Sequence, residues 1–178
     1  MIVQTLELIM LLAFCLYTDW KERKIRNQYS MPFVLVGFLT NCLLGEVGWS
    51  GSLFGILLPF IVFFPFFYLH MFRAGDIKAM MAIGAIMGYR FVGNAIFYIF
   101  AVGLIVALAK MIKHRNAKER FGNVARYFKM LFHTFKIVPY EEAASQDNTA
   151  HFPFSIAIVA GCIINLIAEY GKYYIFFR

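Results

Sequence analysis

Six apolar runs, separated by short polar connections, dominate this 178-residue sequence and decide what it can fold into. A helix needs about 20 mostly apolar residues to cross the hydrocarbon core of a bilayer, so each run is a candidate membrane span. The second and fourth runs are short. The predicted spans are Ile2–Thr18, Met31–Leu44, Ser52–Phe72, Ile77–Tyr89, Phe91–Ile112 and Phe152–Tyr170. We therefore expect an all-α membrane protein, a six-helix transmembrane bundle forming a single domain over residues 1–178.

The composition excludes a soluble monomer and a disordered chain. Apolar residues make up 61% of the sequence and charged residues 15%, whereas a soluble domain has about 45–50% and about 25%. Disordered segments have low hydrophobicity, which this chain does not. The net charge of +7 lies between the apolar runs and not along one polar face, so it predicts orientation in a bilayer and no nucleic-acid binding.

The lysine and arginine residues predict the side on which each loop lies. Fourteen of the 17 fall in the first, third and fifth loops, and three fall on the other side. Because cytoplasmic loops carry an excess of these residues, we expect both termini outside and the three basic loops in the cytoplasm, in the cell inner (plasma) membrane.

The long cytoplasmic loop, residues 113–151, contains aromatic residues at helical spacing between Phe121 and Phe135. Cations fall mostly on the other side of this helix. The pattern predicts an amphipathic helix in the cytoplasmic interface, with its aromatic residues in the bilayer and its cations on anionic headgroups. Such a helix anchors the bundle or, alternatively, grips a substrate.

The cysteines predict neither a metal site nor a cofactor. Cys15, Cys42 and Cys162 all lie in apolar runs and show no metal-ligand or disulfide spacing, so we expect them to fill space between helices.

Two aspartates are the strongest candidates for chemistry. Asp19 ends the first span and Asp76 begins the fourth, both at the cytoplasmic boundary. Two such carboxylates on neighbouring helices can share a proton, so that one activates water while the other polarises a peptide carbonyl. The alternative is that each aspartate caps a helix or balances nearby cations. Glu7 and Glu169 are expected near the outer interface or in hydrogen bonds within the bundle.

Three segments resemble motifs of the type IV prepilin peptidase family. The segment from Asp19 to Asn27 resembles the family's first motif, an aspartate followed after five residues by Ile-Pro-Asn. The segment from Ala74 to Lys78 resembles its Gly-x-Gly-Asp-x-Lys motif. The segment from Phe152 to Gly161 resembles the start of the family's final helix. The resemblance extends over essentially the whole chain. Two residues depart from the pattern, since Arg26 replaces the proline and Arg73 replaces the first glycine.

The resemblance implies roles for five residues. Asp19 and Asp76 would be the catalytic pair of an intramembrane aspartic endopeptidase, and Gly75 would let the chain bend so that the two face each other. Lys78 would lie on the cytoplasmic side of the fourth helix, near the site or as a topological anchor. Asn27 would cap the second helix or bind substrate backbone.

The same resemblance implies the substrate. Prepilins and pseudopilins carry a short basic leader followed by a hydrophobic helix, and cleavage falls at their junction on the cytoplasmic face. The first loop lacks the cysteines of larger members, which implies the small, peptidase-only form of tight-adherence (Flp-type) pilus systems, without methyl transfer. An archaeal preflagellin peptidase is a close variant.

Two functions of other classes are compatible with the aspartates. One is a small proton- or cation-coupled transporter. Both acids are expected at the interface and the sequence has no inverted repeat, and these two features argue against a transporter. The other is a non-catalytic pilus-assembly subunit that binds prepilin without cutting it.

Overall fold

The protein was analysed as a computed structural model that describes residues 2–22, 27–44, 47–68, 72–114, 122 and 154–176. The regular structure in these ranges is helical, which confirms the all-α class. The helices are α1 (Ile2–Glu22), α2 (Asn27–Leu44), α3 (Gly48–Tyr68), α4 (Ala74–His114) and α5 (Phe154–Phe176). All but α2 are long and apolar enough to cross a membrane, and α2 contains the shorter apolar stretch Ser30–Leu44. The amphipathic helix predicted in loop 113–151 lies outside the described residues.

The helix bounds differ in detail from the predicted spans. Helix α3 ends at Tyr68, four residues before the predicted boundary at Phe72. The predicted fourth and fifth spans correspond to the two parts of α4, which are joined across a kink at Gly88. The connection between these two predicted spans is confined to Gly88, whose φ of 83° and ψ of 173° only glycine adopts without strain.

Helix α4 folds back on itself at Gly88. A straight helix of this length would hold Phe72 and Phe100 about 40 Å apart, yet their ring centroids are 6.0 Å apart. The limbs before and after Gly88, residues 74–87 and 89–114, therefore lie side by side. Six crossings of a membrane stay a prediction.

The first limb of α4 lies at the centre of the core. Helix α4 contacts each of the other four helices, and its buried residues include Met80, Ile83 and Ile86. Gly55 of α3 and Gly84 of α4 meet backbone to backbone, so a Cβ on either would collide with the other's carbonyl oxygen. Small residues at such contacts allow membrane helices to approach closely.

The helices pack antiparallel, which gives the bundle two distinct ends. On α1 and α5, Thr5 lies opposite Tyr170 and Asp19 lies opposite Ser155. We name the end that holds Asp19, Asp76 and Ser155 the aspartate end. The opposite end holds Gln4, Asn41 and Gly88, since Gln4 bonds Asn41 and Asn41 bonds the turn that precedes Gly88.

Candidate active site

Asp19 lies in the last turn of α1 and is buried, with 6% of its surface exposed. The neighbouring Thr18 bonds back to the carbonyls of Phe14 and Cys15, so its hydroxyl is satisfied within α1. The Asp19 carboxylate instead reaches another helix, where its Oδ2 accepts a hydrogen bond of 3.3 Å from the backbone N–H of Ser155. Asp19 is thereby tied to the first turn of α5.

Asp76 lies in the first turn of α4 and is also nearly buried, with 9% of its surface exposed. Its backbone N–H donates to the Arg73 carbonyl at 3.1 Å, and its carboxylate accepts a hydrogen bond from the Arg73 backbone N–H. This reciprocal pair is a capping arrangement, and an acid in the first turn is favoured by the helix dipole. The start of α4 therefore fixes the position of Asp76.

The structure brings the two aspartates together at one end of the bundle. Their carboxyl groups are close enough to interact electrostatically, and the Cys15 thiol, one turn before Asp19, interacts with both. Each aspartate also contacts a helix N-terminus, as the capping alternative predicted.

The other predicted site residues lie near this pair or at the edge of what is described. Gly75 is in the first turn of α4, and its backbone is helical; positive φ occurs at Gly48 and Gly88 in the described ranges. Lys78 is partly buried two residues after Asp76. Asn27 is the first residue of α2, and its side chain, like Arg26, lies outside the described part of the chain.

An aromatic cluster that sequence analysis did not predict lies beside the aspartates. The Phe72 ring is in contact with four others, with centroid separations of 5.2 to 6.1 Å, contributed by Phe63, Phe66, Phe100 and Phe154. Edge-on aromatic pairs of this kind stabilise by about 0.5–1.5 kcal/mol each beyond their buried area. The cluster joins the segment before Asp76 to α3, the second limb of α4, and α5.

A cavity of about 1030 Å³ lies at the opposite end of the bundle. Its walls include Gln4, Gly88, Arg90 and Glu169 and neither aspartate, so it is separate from the candidate active site. In the described ranges, no group of three or more His, Cys, Asp or Glu side chains is arranged to hold a metal ion.

Buried polar side chains away from the aspartates form bonds within the bundle. Thr40 donates to Glu7 Oε1 at 2.7 Å, which confirms the bundle hydrogen bond expected for Glu7. Asn41 and Ser52 donate to the Ala85 carbonyl, and Asn165 donates to the Phe91 carbonyl. The bonds of Asn41, Ser52 and Asn165 were not predicted from the sequence. A polar residue within an apolar run does indicate a buried hydrogen bond, because its polar groups need partners there.

The comparisons with known proteins identify the family. The model of the type IV leader peptidase family matches residues 6–108. The chain belongs to this family. The match confirms the resemblance over these residues, which include Asp19, Asn27, Gly75, Asp76 and Lys78; the third resembling segment, Phe152 to Gly161, lies beyond it with α5. A search of the curated proteins and a search of the solved structures gave no match. Membership of a leader peptidase family, together with the apolar helices, supports a membrane-embedded peptidase.

Proposed function

We propose that this protein is an aspartic endopeptidase that removes the basic leader from prepilin or pseudopilin substrates. In this proposal Asp19 and Asp76 form the catalytic dyad, and neither a metal nor another cofactor takes part. Gly75, Lys78 and Asn27 support the motif or bind substrate. The small first loop, without cysteines, supports a peptidase without methyltransferase activity.

The observation that carries the proposal is the meeting of two buried carboxyl groups from distant parts of the chain. Asp19 and Asp76 are 57 positions apart in sequence, lie at the same end of the bundle and interact electrostatically. Burial of an acid among apolar helices costs several kcal/mol unless it is compensated, so such a pair is a functional candidate. The family match over both residues gives the pair a peptidase context.

The chemistry needs one proton shared between the two carboxyl groups. The ionised carboxylate takes a proton from water as the water oxygen attacks the peptide carbonyl carbon, and the protonated carboxyl donates to the carbonyl oxygen. The tetrahedral intermediate then collapses: the C–N bond breaks as the carboxyl group that took the water proton donates it to the nitrogen, and a hydroxyl of the intermediate returns a proton to the other carboxylate. The products are the leader, with a new carboxylate, and the mature helix, with a new amine.

The proposed topology gives the substrate access to this site. Six crossings with both termini outside put the aspartate end at the cytoplasmic face of the inner (plasma) membrane. There a basic leader stays in water while the hydrophobic helix that follows it remains in the bilayer. Anionic headgroups beside the basic loops hold the enzyme in this orientation.

Co-expression with a candidate substrate tests the proposal. The substrate is a neighbouring gene product with a basic leader, a glycine or alanine, and then an apolar helix. We expect processing by the wild type and none by Asp19→Asn or Asp76→Asn. Glu7→Gln is the matched control, since it neutralises an acid on the same helix as Asp19 but at the opposite end, and it should process normally.

Three outcomes would contradict the peptidase. Processing by both Asp→Asn variants would remove the dyad from the mechanism. Binding of the substrate without cleavage by the wild type would identify an assembly subunit. Proton flux into liposomes that depends on Asp19 and Asp76, without cleavage, would identify a transporter.

A further inference from the structure

We infer that the first turn of α5 is a positioning element of the active site, which holds Asp19 through the Ser155 backbone N–H and the start of α4 through the Phe154 ring. This inference rests on the proposed function for its catalytic meaning. It adds to the site a helix that lies beyond residues 6–108, the extent of the family match.

The contact with Asp19 is made by a backbone group. Ser155 is the second residue of α5 and is 1% exposed. The first four N–H groups of a helix have no partner within the helix and need one elsewhere. The partner of the Ser155 N–H is Asp19 Oδ2. This hydrogen bond satisfies a buried donor and also fixes the direction of the Asp19 carboxylate.

The contact with the Asp76 side is made by the neighbouring ring. The centroids of Phe154 and Phe72 are 5.4 Å apart, with the rings edge to face at 73°. Phe72 directly precedes Arg73, whose backbone bonds Asp76 in both directions. Two successive residues of α5 therefore contact the two elements that carry the aspartates.

The consequence is that α5 sets the separation of the two carboxyl groups. Asp19 is near the end of α1 and Asp76 is at the start of α4, and these helix ends are not adjacent in the chain. A displacement of about 1 Å between catalytic groups can lower the rate about 100-fold, so an element that links the two is functionally significant.

Carboxyl NMR tests the Asp19 contact without relying on proteolysis. The chain has three aspartates, at positions 19, 76 and 147, so protein labelled with [4-¹³C]aspartate gives three carboxyl resonances, assigned by single Asp→Asn variants in nanodiscs. Ser155→Pro removes the N–H in the first turn of α5, where a backbone N–H has no partner within the helix. Ser155→Ala, the matched control, removes the hydroxyl and keeps the N–H. We expect the Asp19 resonance to move in Ser155→Pro and to stay in place in Ser155→Ala. An Asp19 resonance unchanged by Ser155→Pro would overturn the inference.

A second measurement uses variants that preserve the fold if Ser155→Pro does not. In ¹⁵N-serine-labelled protein, Asp19→Asn replaces the acceptor carboxylate by a weaker amide oxygen, so the Ser155 amide proton should move upfield, while Asp147→Asn should leave it unchanged. An amide proton that does not respond to Asp19→Asn contradicts the bond.

Cleavage of the prepilin substrate gives the functional result. We expect Ser155→Pro to lower kcat by about 10- to 100-fold with KM unchanged, and Ser155→Ala to retain wild-type kcat. An equal loss in both variants would overturn the role of the N–H. If the wild type itself cleaves no prepilin, the proposed function fails, while the NMR shifts still decide whether α5 holds Asp19.

Discussion

The side-chain amide of Asn41 donates hydrogen bonds to two successive carbonyls of α4, Ala85 at 2.7 Å and Ile86 at 2.9 Å. Both carbonyls lie in the turn before Gly88, where the break in the helix removes the N–H groups that would otherwise bond them. Ser52 adds a third bond, to Ala85 at 2.6 Å. The reversal of α4 is therefore supported by side chains from α2 and α3, which donate to buried carbonyls that need a hydrogen-bond partner.

Replacement of Asn41 by leucine should destabilise the bundle. The variant leaves the Ile86 carbonyl without its donor, and hydrogen bonds between membrane helices contribute about 0.6–1.7 kcal/mol each. Asn41 also accepts a hydrogen bond from Gln4, so we expect a loss of about 2–5 kcal/mol for the three bonds, measured as reduced stability to SDS denaturation in mixed micelles by circular dichroism. Cys42→Leu, at the exposed neighbouring position, is the control and should have wild-type stability. Equal stability of Asn41→Leu and Cys42→Leu would show that the bonds do not support the reversal.

Gly88→Ala should lower the stability of the fold more than an alanine substitution nearby in the same helix. At φ 83° and ψ 173° an L side chain costs about 1–3 kcal/mol, and the new Cβ would also collide with Val47. Gly93→Ala is the control, since a Cβ there meets nothing within 4 Å and alanine favours the helix by about 1 kcal/mol. We expect the thermal midpoint to fall in the first variant and to rise or stay unchanged in the second. A fall of equal size in both would contradict the role given to Gly88.

Thiol labelling should distinguish one cysteine from the other two. Cys42 is exposed, whereas Cys15 and Cys162 are buried in the core of the bundle. Reaction requires access to the thiolate, so N-ethylmaleimide should add once to the native protein in detergent and three times after denaturation, as measured by intact mass. Cys42→Ser should abolish the native addition. Rapid native labelling of Cys15 would mean that the space beside the aspartates is open and not packed.

The helical class and the two aspartates could be predicted because run length and charge are local properties of the sequence. The hydrogen bond of Asp19 could not be predicted from the sequence. Its partner, Ser155, is 136 positions away and contributes a backbone N–H, a group that every residue except proline carries. The same holds for the aromatic cluster. With 21 phenylalanines in the chain, composition gives no reason to select Phe72 as the ring that contacts four others.

The reversal of α4 shows a different limit. The predicted spans leave a break at position 90, between Tyr89 and Phe91, but Gly88 takes the turn, and Gly93 and Asn94 lie within the helix. The conformation of Gly88 alone decides where α4 reverses. That conformation depends on side chains of α2 and α3, which donate hydrogen bonds to the carbonyls before Gly88. Asn41, a polar residue within an apolar run, indicates a buried hydrogen bond. Its position in the sequence does not indicate which carbonyl accepts that bond.

Arg73 stands where the resembling motif has a glycine, and we expect its exposed side chain to contribute little to the position of Asp76. The guanidinium interacts electrostatically with Asp76, while the backbone N–H and carbonyl of Arg73 form hydrogen bonds with it; Arg73→Gly retains both backbone groups, whereas Arg73→Pro retains only the carbonyl. We expect Arg73→Gly to process a prepilin substrate within about threefold of the wild-type rate, since about 0.6 kcal/mol is the scale of an exposed charge interaction. Arg73→Pro, the matched variant, should lose about 10-fold or more, because a hydrogen bond to a charged group contributes about 1.5–3 kcal/mol. Rates measured by the appearance of mature substrate in nanodiscs decide between the two. If Arg73→Gly were as slow as Arg73→Pro, the guanidinium itself would be required.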